Sequence, residues 1–451
     1  MTQIDNGRGD MRHYRKSHFV LAAIVLALGG ASRAQAGAFL IREQGAAATA
    51  LSTAGAAAGG VGLSSMFWNP ATITDAPGWQ SSWSVSGVFP SATITAQPGS
   101  ALLPLGASSG QILRSAAVPA SYSTYQLNDR WWLGLAVNSP FGLASRNPNV
   151  WAGSPYGIDS KVSSFDINPT IGFKLNRMIS FGVGLQAEWL HAYQSEAIDL
   201  PPPFGTGFGT ATIKGSTWGW GFTAGATVKP WRGTELGVGY RSSVRETTDS
   251  GKAIFSAFNP PTQPLPPGVY PASFSLPLPD IVTIGVRQRV TPLLTLLGGF
   301  EWDHWSRLGA VAVTNPGPGP LPPAGAVYTV IPFNYRDGWL ASLGAQYQWS
   351  PKLVLRGGLA YERSPIDDAN RSIALPDSDR VWVSIGAGYR LTPKLSADVA
   401  YAHLFAQAGT ITETTPVPFV ATTEGHADII SVSLNYRWDN PSPPRPVVAR
   451  Y

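Results

Sequence analysis

Residues 426–438 read HADIISVSLNYRW and, from Ile430 onward, alternate strictly between two kinds of side chain. On a strand, one face would carry only apolar and aromatic groups, namely Ile430, Val432, Leu434, Tyr436 and Trp438. The opposite face would carry Ser431, Ser433, Asn435 and Arg437. A strand in a soluble core seldom combines such a regular apolar face with Asn and Arg, whereas a strand between lipid and water needs this pattern. The segment therefore predicts a membrane-spanning strand.

The same alternation recurs along the chain. It is clear in VSSFDINPTIGFKLN (162–176), WLASLGAQYQW (339–349) and RVWVSIGAGYRL (380–391), with aromatic residues near the strand ends. No run after residue 36 has the eighteen or so consecutive apolar residues of a transmembrane helix. Because lipid requires that every backbone group be hydrogen bonded, membrane strands must close into a barrel. The sequence predicts an all-β transmembrane barrel.

The composition fits a protein that faces lipid on one side and water on the other. Charged residues make up 13% of the 451 residues, and the chain has 49 Gly and 16 Trp. A typical soluble domain has about 25% charged residues. The net charge is +5 without a run of basic residues, so we expect no nucleic-acid partner. The absence of cysteine excludes disulfides and thiolate metal sites.

The N-terminus has the features of a secretory signal peptide. Basic residues at 12–16 precede an apolar stretch at 19–30, and Ala34-Gln35-Ala36 is a small-x-small cleavage site. We therefore expect a signal peptide at 1–36 that is removed on export. Residues 37–77 are rich in Ala and Gly, which predicts short helices and loops, and they include the bulkier MFWNPATIT at 66–74.

We expect about fourteen antiparallel strands within residues 78–438, since bacterial barrels have an even number. Tight turns are predicted at 127–130, 175–178, 229–233, 290–293, 349–352 and 391–394, where Pro, Asn, Asp or Gly occur. Long loops are predicted near 97–113, 139–161, 196–212, 248–279, 310–332, 364–378 and 408–424. Short periplasmic turns and long outer loops are typical of outer-membrane barrels. Residues 439–451 are expected to form a disordered periplasmic tail.

Two local features suggest how such a barrel handles a ligand. Ser139-Pro140-Phe141-Gly142 interrupts the third strand, because Pro donates no ladder hydrogen bond and Gly tolerates a bend; an ordinary loop start is the alternative. Three long loops are rich in Pro and apolar residues, at 201–209, 255–280 and 315–326. They predict an apolar outer groove or, alternatively, simple surface shielding.

Several stretches together resemble one known family. They are NPATIT (69–74), NSPFGL (138–143), WAGSPYGIDSKVSSFDINPTIGFKLN (151–176), WDHWSRL (302–308), YRDGWLASLGAQY (335–347) and RSPIDDANRSIALPDSDRVWVSIGAGY (363–389). In order and at strand spacing, they resemble the FadL/TodX (OmpP1) family of outer-membrane transporters for long-chain fatty acids and other hydrophobic compounds.

The resemblance implies a specific architecture and activity. The barrel would have fourteen strands, an N-terminal, mostly helical hatch (37–77) that plugs the lumen, an outer groove, a lumenal site and a side opening at the kinked third strand. The activity would be passive uptake of long-chain fatty acids across the outer membrane of a Gram-negative bacterium. Uptake of aromatic or other neutral hydrocarbons is the alternative, and a general diffusion porin is a further one.

The resemblance also implies site residues. Arg336 and His191 align with cationic residues that hold the ligand carboxylate, and His191 is a departure because it is mostly neutral at pH 7. The predicted ligand-binding residues are Arg336, His191, Phe67, Trp68 and Phe141. The predicted hatch and gating residues are Asn69, Pro70, Ala71, Ser139, Pro140 and Gly142. The expected partners are a hydrophobic small molecule and outer-membrane lipids, with a monomeric protein and with no cofactor or metal.

An enzyme is not expected. We find no nucleophile elbow, HExxH pair or dinucleotide-binding turn, and the six His are scattered. The GxG pairs at Gly182, Gly237 and Gly386 lie inside strand patterns and predict close packing rather than phosphate binding. A porin would need an open polar lumen, and an adhesive barrel would have polar loops.

Overall fold

The computed structural model describes residues 37–205, 207–257, 265–317 and 323–439. The predicted signal peptide at 1–36 and the predicted tail from residue 440 onward lie outside the described residues. Among the described residues, no helix is long and apolar enough to cross a membrane.

Most described residues belong to β-strands. The segments are β1 (Trp79–Ala96), β2 (Ser108–Gln111), β3 (Ala116–Gln126), β4 (Trp131–Asn138), β5 (Gly142–Arg146), β6 (Asp159–Lys174), β7 (Ile179–Asp199), β8 (Gly209–Val228), β9 (Thr234–Arg241), β10 (Arg245–Phe255), β11 (Gly268–Pro277), β12 (Ile281–Arg289), β13 (Leu294–Asp303), β14 (Ala310–Thr314), β15 (Val327–Pro332), β16 (Gly338–Gln348), β17 (Leu353–Arg363), β18 (Arg380–Arg390), β19 (Leu395–Ala406), β20 (Gly409–Glu413) and β21 (Phe419–Arg437).

Fourteen of these segments form a closed antiparallel barrel. Their order around the wall is β1, β3, β4, β6, β7, β8, β9, β12, β13, β16, β17, β18, β19 and β21. Pairing of β21 with β1, from Gln80–Arg437 to Ala96–Ala421, closes the ring. The predicted all-β barrel is confirmed.

Side chains alternate across the wall as the C-terminal strand predicted. On β21, Ile430 and Val432 are 50% and 49% exposed on the outer face. Ser431 and Ser433 are buried on the inner face. The outer face is therefore apolar at mid-height and the lumen is polar, as lipid outside requires.

The six predicted tight turns all lie between paired strands at the predicted residues, and we call this the turn end of the barrel. At the opposite, loop end, several predicted loops were wrong. Residues 248–279 and 310–332 contain β10, β11, β14 and β15, and β7 continues to Asp199. On these extensions the exposed positions mix polar residues, such as Lys252, with apolar ones, such as Val269 and Val327, so the regular alternation that marks lipid-facing strands disappears.

Aromatic residues ring the barrel at two heights. Near the turn end, Trp131 packs on Phe173, with ring centroids 4.6 Å apart. Higher up, Phe165 contacts Trp189 and Trp218, at 5.6 and 5.3 Å. Phe165 and Phe173 are eight residues apart on β6, or about 26 Å along the strand and about 20 Å across the membrane at a tilt of about 40°. This spacing matches an apolar band between two interfacial girdles.

Residues 37–77, which we call the N-terminal segment, lie inside the barrel. They form α1 (Ala46–Ala50) and short 3-10 turns at Ala56–Ala58, Gly62–Phe67 and Pro70–Asp75; further 3-10 turns occur at Leu103–Leu105, Ser154–Tyr156 and Trp305–Arg307. The Ala46 amide donates to Ser433 Oγ, and Ser52 Oγ hydrogen bonds Ser384 Oγ. Both wall serines face the lumen, so the segment is anchored to the inner face.

Glycines on the wall let this segment approach closely. A Cβ at Gly237 would lie 1.8 Å from Ala57 O, and one at Gly182 would lie 2.4 Å from Ala71 N. Gly386 faces Ala50 in the same way. The predicted packing role of these three GxG glycines is confirmed.

Candidate functional site

The barrel wall has a gap in its hydrogen-bond ladder between β3 and the chain that follows β4. The β3–β4 pairing extends only as far as Ser121–Val137. From this point toward the loop end, residues Ala116 to Ala120 of β3 pair with β1 alone among the described residues. The next bond that joins the two sides is from Arg114 N to Ala144 O, at 2.9 Å. The gap lies at Ser139–Gly142, the kink that the sequence predicted in the third strand of the wall, which is β4 in the structure.

Residues Ser139 to Gly142 bend from the wall toward the lumen, where they form hydrogen bonds with the N-terminal segment. Ile41 N donates to Pro140 O at 2.8 Å, and Gly142 N donates to Phe39 O at 2.8 Å. On the other side, Phe141 N donates to Ser164 Oγ on β6 at 3.0 Å. Pro140 contributes no N–H to the wall, and the carbonyls released from the wall accept hydrogen bonds from the N-terminal segment. The kink therefore leaves few backbone groups without a hydrogen-bond partner.

A cavity of about 540 Å³ fills the gap. Its inner end is lined by Leu40 and Ile41, and its outer end by Ala116 and Ala117 on β3. The predicted gating or ligand-binding residues that line it are Ser139, Phe141 and Gly142. The cavity thus connects the N-terminal segment with the outer surface of the wall, and its volume lies in the usual range of ligand sites.

An apolar cluster continues from this cavity into the barrel at the loop end. Leu143, Val162 and Leu375 line both the gap cavity and a smaller one of about 80 Å³. At its centre, the ring of Phe39 lies 5.9 Å from that of Phe141 and 4.7 Å from that of Trp305. All three rings are buried. Such a lining suits an alkyl chain or an aromatic ring.

A buried ion cluster holds the N-terminal segment beside these cavities. The Arg42 guanidinium contacts Glu301, Asp303 and Glu362, each at 2.5 Å. Arg380 Nε also donates to Glu362, at 2.6 Å. These carboxylates come from β13 and β17, which are separated by β16 alone, so one arginine ties the segment to this part of the wall. Breaking a buried pair of this kind costs several kcal/mol.

Asp377, in the loop after β17, adds a titratable contact to the same cluster. Its Oδ2 accepts from Ala38 N at 2.8 Å and from Ser364 Oγ. Burial raises the pKa of Asp377 to about 6, although Arg380 and the hydrogen bonds oppose the shift. The first residues of the N-terminal segment are therefore tied to a carboxyl that titrates near neutral pH.

The predicted hatch turn Asn69-Pro70-Ala71 docks on the wall away from the gap. Asn69 is fully buried, and its Nδ2 donates to Ala57 O at 2.7 Å and to Ala226 O on β8 at 3.0 Å. Its Oδ1 accepts from Ala71 N at 3.0 Å, and Pro70 occupies the first position of the following 3-10 turn. The geometry fixes the N-terminal segment to the wall; these residues do not contact the cavities.

Arg336 and His191 are not among the residues that line either apolar cavity. Arg336 is partly exposed, with Nε donating to Ser364 O at 3.2 Å and Nη2 lying 3.8 Å from Asp379. His191 lies on the outer face of β7, stacked on Trp189, with Nδ1 2.8 Å from Ser216 Oγ. Odd-numbered β7 residues face outward, so the expected position of His191 inside the barrel is wrong.

Phe67 and Trp68 also lie apart from Phe141. Phe67 packs under the Arg241 guanidinium, 4.6 Å from the ring centroid. Trp68 Nε1 donates to Glu301 at 2.9 Å. Both are buried between the N-terminal segment and the wall. Of the predicted site residues, the structure thus brings only Ser139, Phe141 and Gly142 together at the cavity.

Sequence reasoning missed the N-terminal contribution to the site. Phe39 and Leu40 follow the predicted cleavage site directly and were treated as part of a small-residue stretch. The available signal was the apolar run FLI at 39–41, the first such run after that site. Trp305 lies in WDHWSRL, whose role the pattern alone did not indicate.

A second, larger cavity of about 880 Å³ opens at the turn end. Its lining includes charged groups such as Lys229, Arg287 and Arg356, and it shares no residue with the gap cavity. Its polar walls do not suit an apolar ligand. The two cavities lie on opposite sides of the N-terminal segment, since Ala38 and Leu40 line one and Ala47 and Gly59 line the other.

Comparison with known proteins places this geometry in a family. The sequence model of the outer membrane protein transport protein family (OMPP1/FadL/TodX) matches residues 27–438. The chain belongs to this family. It is therefore an outer-membrane β-barrel, in agreement with its closed strands and apolar outer band.

Individual relatives agree with this assignment. The chain is 26% identical to the long-chain fatty acid transport protein of Escherichia coli O6:H1, over 82% of this chain and 87% of that protein. The crystal structure of a Pseudomonas aeruginosa FadL homologue superposes with a TM-score of 0.79 at 21% identity, covering 89% of this chain and 100% of the other. The Pseudomonas putida toluene transporter TodX has a TM-score of 0.65 at 17% identity, with the same coverage.

The letters GASSG at 106–110 match a G-x-S-x-G pattern, although the sequence search found no nucleophile elbow. Ser108 is the first residue of β2, and its exposed hydroxyl accepts from Gly110 N at 3.1 Å. A nucleophile elbow needs a strand-to-helix turn, which this segment does not form. Among the described residues, no three His, Cys, Asp or Glu are placed to hold a metal.

Proposed function

We propose that this protein mediates passive uptake of hydrophobic molecules, most of all long-chain fatty acids, across the outer membrane. The observation that carries the proposal is the wall gap between β3 and Ser139–Gly142, filled by a cavity that is continuous with the apolar cluster. A ligand moving from the cluster through the gap enters the bilayer sideways. The 26% identity to a fatty acid transport protein supports the same substrate class.

The physical reason for a sideways route is the cost of hydrating an alkyl chain. Each methylene contributes about 0.8 kcal/mol, so a sixteen-carbon chain loses roughly 12 kcal/mol of apolar stabilisation if it passes through water. The charged cavity at the turn end would impose that cost. The gap cavity lowers it, because its lining is mainly apolar, although Arg114, Arg146 and Lys161 also contribute to that lining.

We assign initial capture to the loop end and closure of the lumen to the N-terminal segment. Phe204 and Phe208, in the loop between β7 and β8, are 38% and 41% exposed and offer an apolar surface. The N-terminal segment acts as a hatch that separates the two cavities, with Asn69, Pro70 and Ala71 as its fixed anchor. The protein acts as a monomer.

Neutral aromatic compounds are a second candidate substrate. The observation that favours them is the position of Arg336 and His191, which were expected to hold a carboxylate and lie outside both apolar cavities. The rings of Phe39, Phe141 and Trp305 offer edge-to-face contacts to an aromatic ligand. The fold shared with a toluene transporter is compatible with this alternative.

Competition uptake in cells that lack their own fatty acid transporter tests the proposal. Cells that express this chain should accumulate labelled oleate, and unlabelled oleate should compete better than toluene. Stronger competition by toluene would move the assignment to hydrocarbon uptake. Equal uptake of small sugars would contradict both and indicate a general porin.

A further inference from the structure

The outer wall carries a group of cations at the loop end that the transport route does not explain. We call it the outer cationic patch; it consists of Arg114, Arg146, Lys161, Lys214 and Lys252. All are exposed except Lys214, which is half-buried. They lie in the residues before β3 and in β5, β6, β8 and β10, with β7 between β6 and β8.

Strand register brings three of these cations into one row. Lys161 lies opposite Tyr193, Tyr193 opposite Lys214, and Lys214 opposite Lys252. Neighbouring strands are about 4.8 Å apart, so the row spans roughly 15 Å of the surface. The side chains face outward because Lys161 alternates with buried Ser160, and Lys252 alternates with buried Ala253.

The row lies just beyond the upper aromatic girdle. Lys161 is four residues from Phe165 on β6, and Lys214 is four residues from Trp218 on β8. Four residues correspond to about 13 Å along a strand. Because the girdle marks the edge of the apolar band, the cations lie at the level of the lipid head groups of the outer leaflet.

The protein balances the charge of the patch only in part. None of its five cations forms an ion pair with any residue that the structure describes. The acids nearby on these strands are Asp159, opposite Arg146, and Asp249, which accepts from Ser273 Oγ at 2.6 Å.

Lys214 and Lys252 repel each other across the β8–β10 pair, because like charges directly opposite are unfavourable. An anion between them would relieve this repulsion.

The patch is also local, since the outer face of β21 instead carries Glu424 and Asp428 at the loop end.

We infer that the outer cationic patch binds the phosphate groups of the anionic glycolipid that forms the outer leaflet. Lysine ammonium groups and Arg guanidinium groups bind phosphate through charge-assisted hydrogen bonds. The Tyr193 phenol, between two lysines, is an additional donor. The acyl chains of the same lipid then pack on Phe165, Trp189 and Trp218, directly below.

The carboxylate of a transported acid is the competing ligand. Lys161, Arg114 and Arg146 line the gap cavity, so they have access to it. Lys214 and Lys252 line neither apolar cavity. The row therefore extends beyond the transport route along the lipid-facing surface, which favours a membrane lipid. The inference rests on the outer-membrane location and does not depend on which substrate is transported.

Lipid titration of the purified, full-length protein tests the inference. The probes are lipid A with its phosphates and the same lipid after enzymatic dephosphorylation, added in mild detergent and followed by native mass spectrometry. We expect the wild type to bind the phosphorylated lipid at least about tenfold tighter, since charge-assisted bonds are roughly twice as strong as neutral ones. In K214Q/K252Q this preference should fall below about threefold, and oleate binding should be unchanged.

The matched control is R130Q/R177Q, which removes two exposed cations at the turn end. This variant should keep the tenfold preference. The inference is overturned if K214Q/K252Q also keeps it, or if the wild type shows none. It is equally overturned if oleate binding falls in K214Q/K252Q while the lipid preference remains. The single variant K252Q, with a smaller expected loss, replaces the double variant if the latter does not fold.

Discussion

Arg42 is the residue on which the position of the N-terminal segment most depends. Its guanidinium is surrounded by three carboxylates and is 3% exposed. Replacing it by Gln leaves those carboxylates buried without their cation. We expect R42Q to lose about 3–5 kcal/mol of stability, measured by thermal or denaturant unfolding in detergent.

The control is R307Q. Arg307 pairs with Asp280 but has a side chain that is 43% exposed, so its removal should cost less than about 1 kcal/mol. Equal losses in the two variants would contradict the special role of Arg42.

Asp377 makes the same region sensitive to pH. Because burial raises its pKa in the folded protein to about 6, from 3.8, the folded state binds the proton more tightly than the unfolded state. The charged carboxyl is therefore a cost above pH 6 that is relieved as the pH falls through 6 toward 4. Wild type should gain about 2 kcal/mol relative to D377N between pH 7.5 and 4.5. Parallel unfolding curves for the two proteins across that range would show that Asp377 does not titrate there.

Single residues of the site were only partly predictable from sequence. The kink residues were found because Pro and Gly have local backbone consequences that a sequence shows directly. His191 was misplaced because the inward or outward direction of a side chain depends on strand register, which shifts with every residue. Phe39 and Arg42 were missed because their roles arise from contacts with residues more than 200 positions away, such as Glu301 and Trp305.

Among the structural elements, the contact between the N-terminal segment and the wall depends on wall glycines. We expect G237A to destabilise the protein by about 1–3 kcal/mol and to raise its ion conductance in planar bilayers, because the new methyl would lie 1.8 Å from Ala57 O. G357A is the matched control, since its methyl would lie 3.8 Å from the nearest atom, Ser384 O. Unchanged conductance in G237A would contradict a close seal at this contact.

The interruption after β4, the third strand of the wall, is the element that defines the proposed exit. Replacing Pro140 and Gly142 by Val favours a continuous strand. A Cβ at Gly142 would also press on Ile41 Cδ1, 2.6 Å away. We expect the double variant to fold, with normal heat-modifiable mobility on gels, and to take up oleate at less than about a tenth of the wild-type rate. Normal uptake would refute the sideways route.

The strand pattern was predictable wherever lipid lies on one side. All six tight turns and the lipid-facing alternation of β21 were correct because lipid imposes one rule on every outward side chain. Beyond the girdle, β10, β11, β14 and β15 were taken for loops because they flank Pro-rich stretches and their exposed positions mix polar with apolar residues. Lys252 on β10 illustrates this, since it faces outward where an apolar residue would have indicated a strand.

The molecule as a whole is a barrel whose lumen is divided by its own N-terminal segment into an apolar and a polar compartment. The apolar compartment reaches the bilayer through the wall gap, and the polar one opens at the turn end. This division explains how a barrel with water-facing ends handles molecules that avoid water. We propose that the substrate leaves through the gap.

Reversible blocking of the gap in single-cysteine variants tests this claim most directly. The chain has no cysteine, so A117C introduces one thiol at the outer end of the gap cavity, and A341C places one on the outer face of β16. Each variant is labelled with a bulky thiol reagent joined through a reducible disulfide, and oleate uptake is measured before and after reduction. We predict that the label blocks uptake in A117C, that reduction restores it, and that A341C is unaffected. Full uptake by labelled A117C would show that the substrate takes another route.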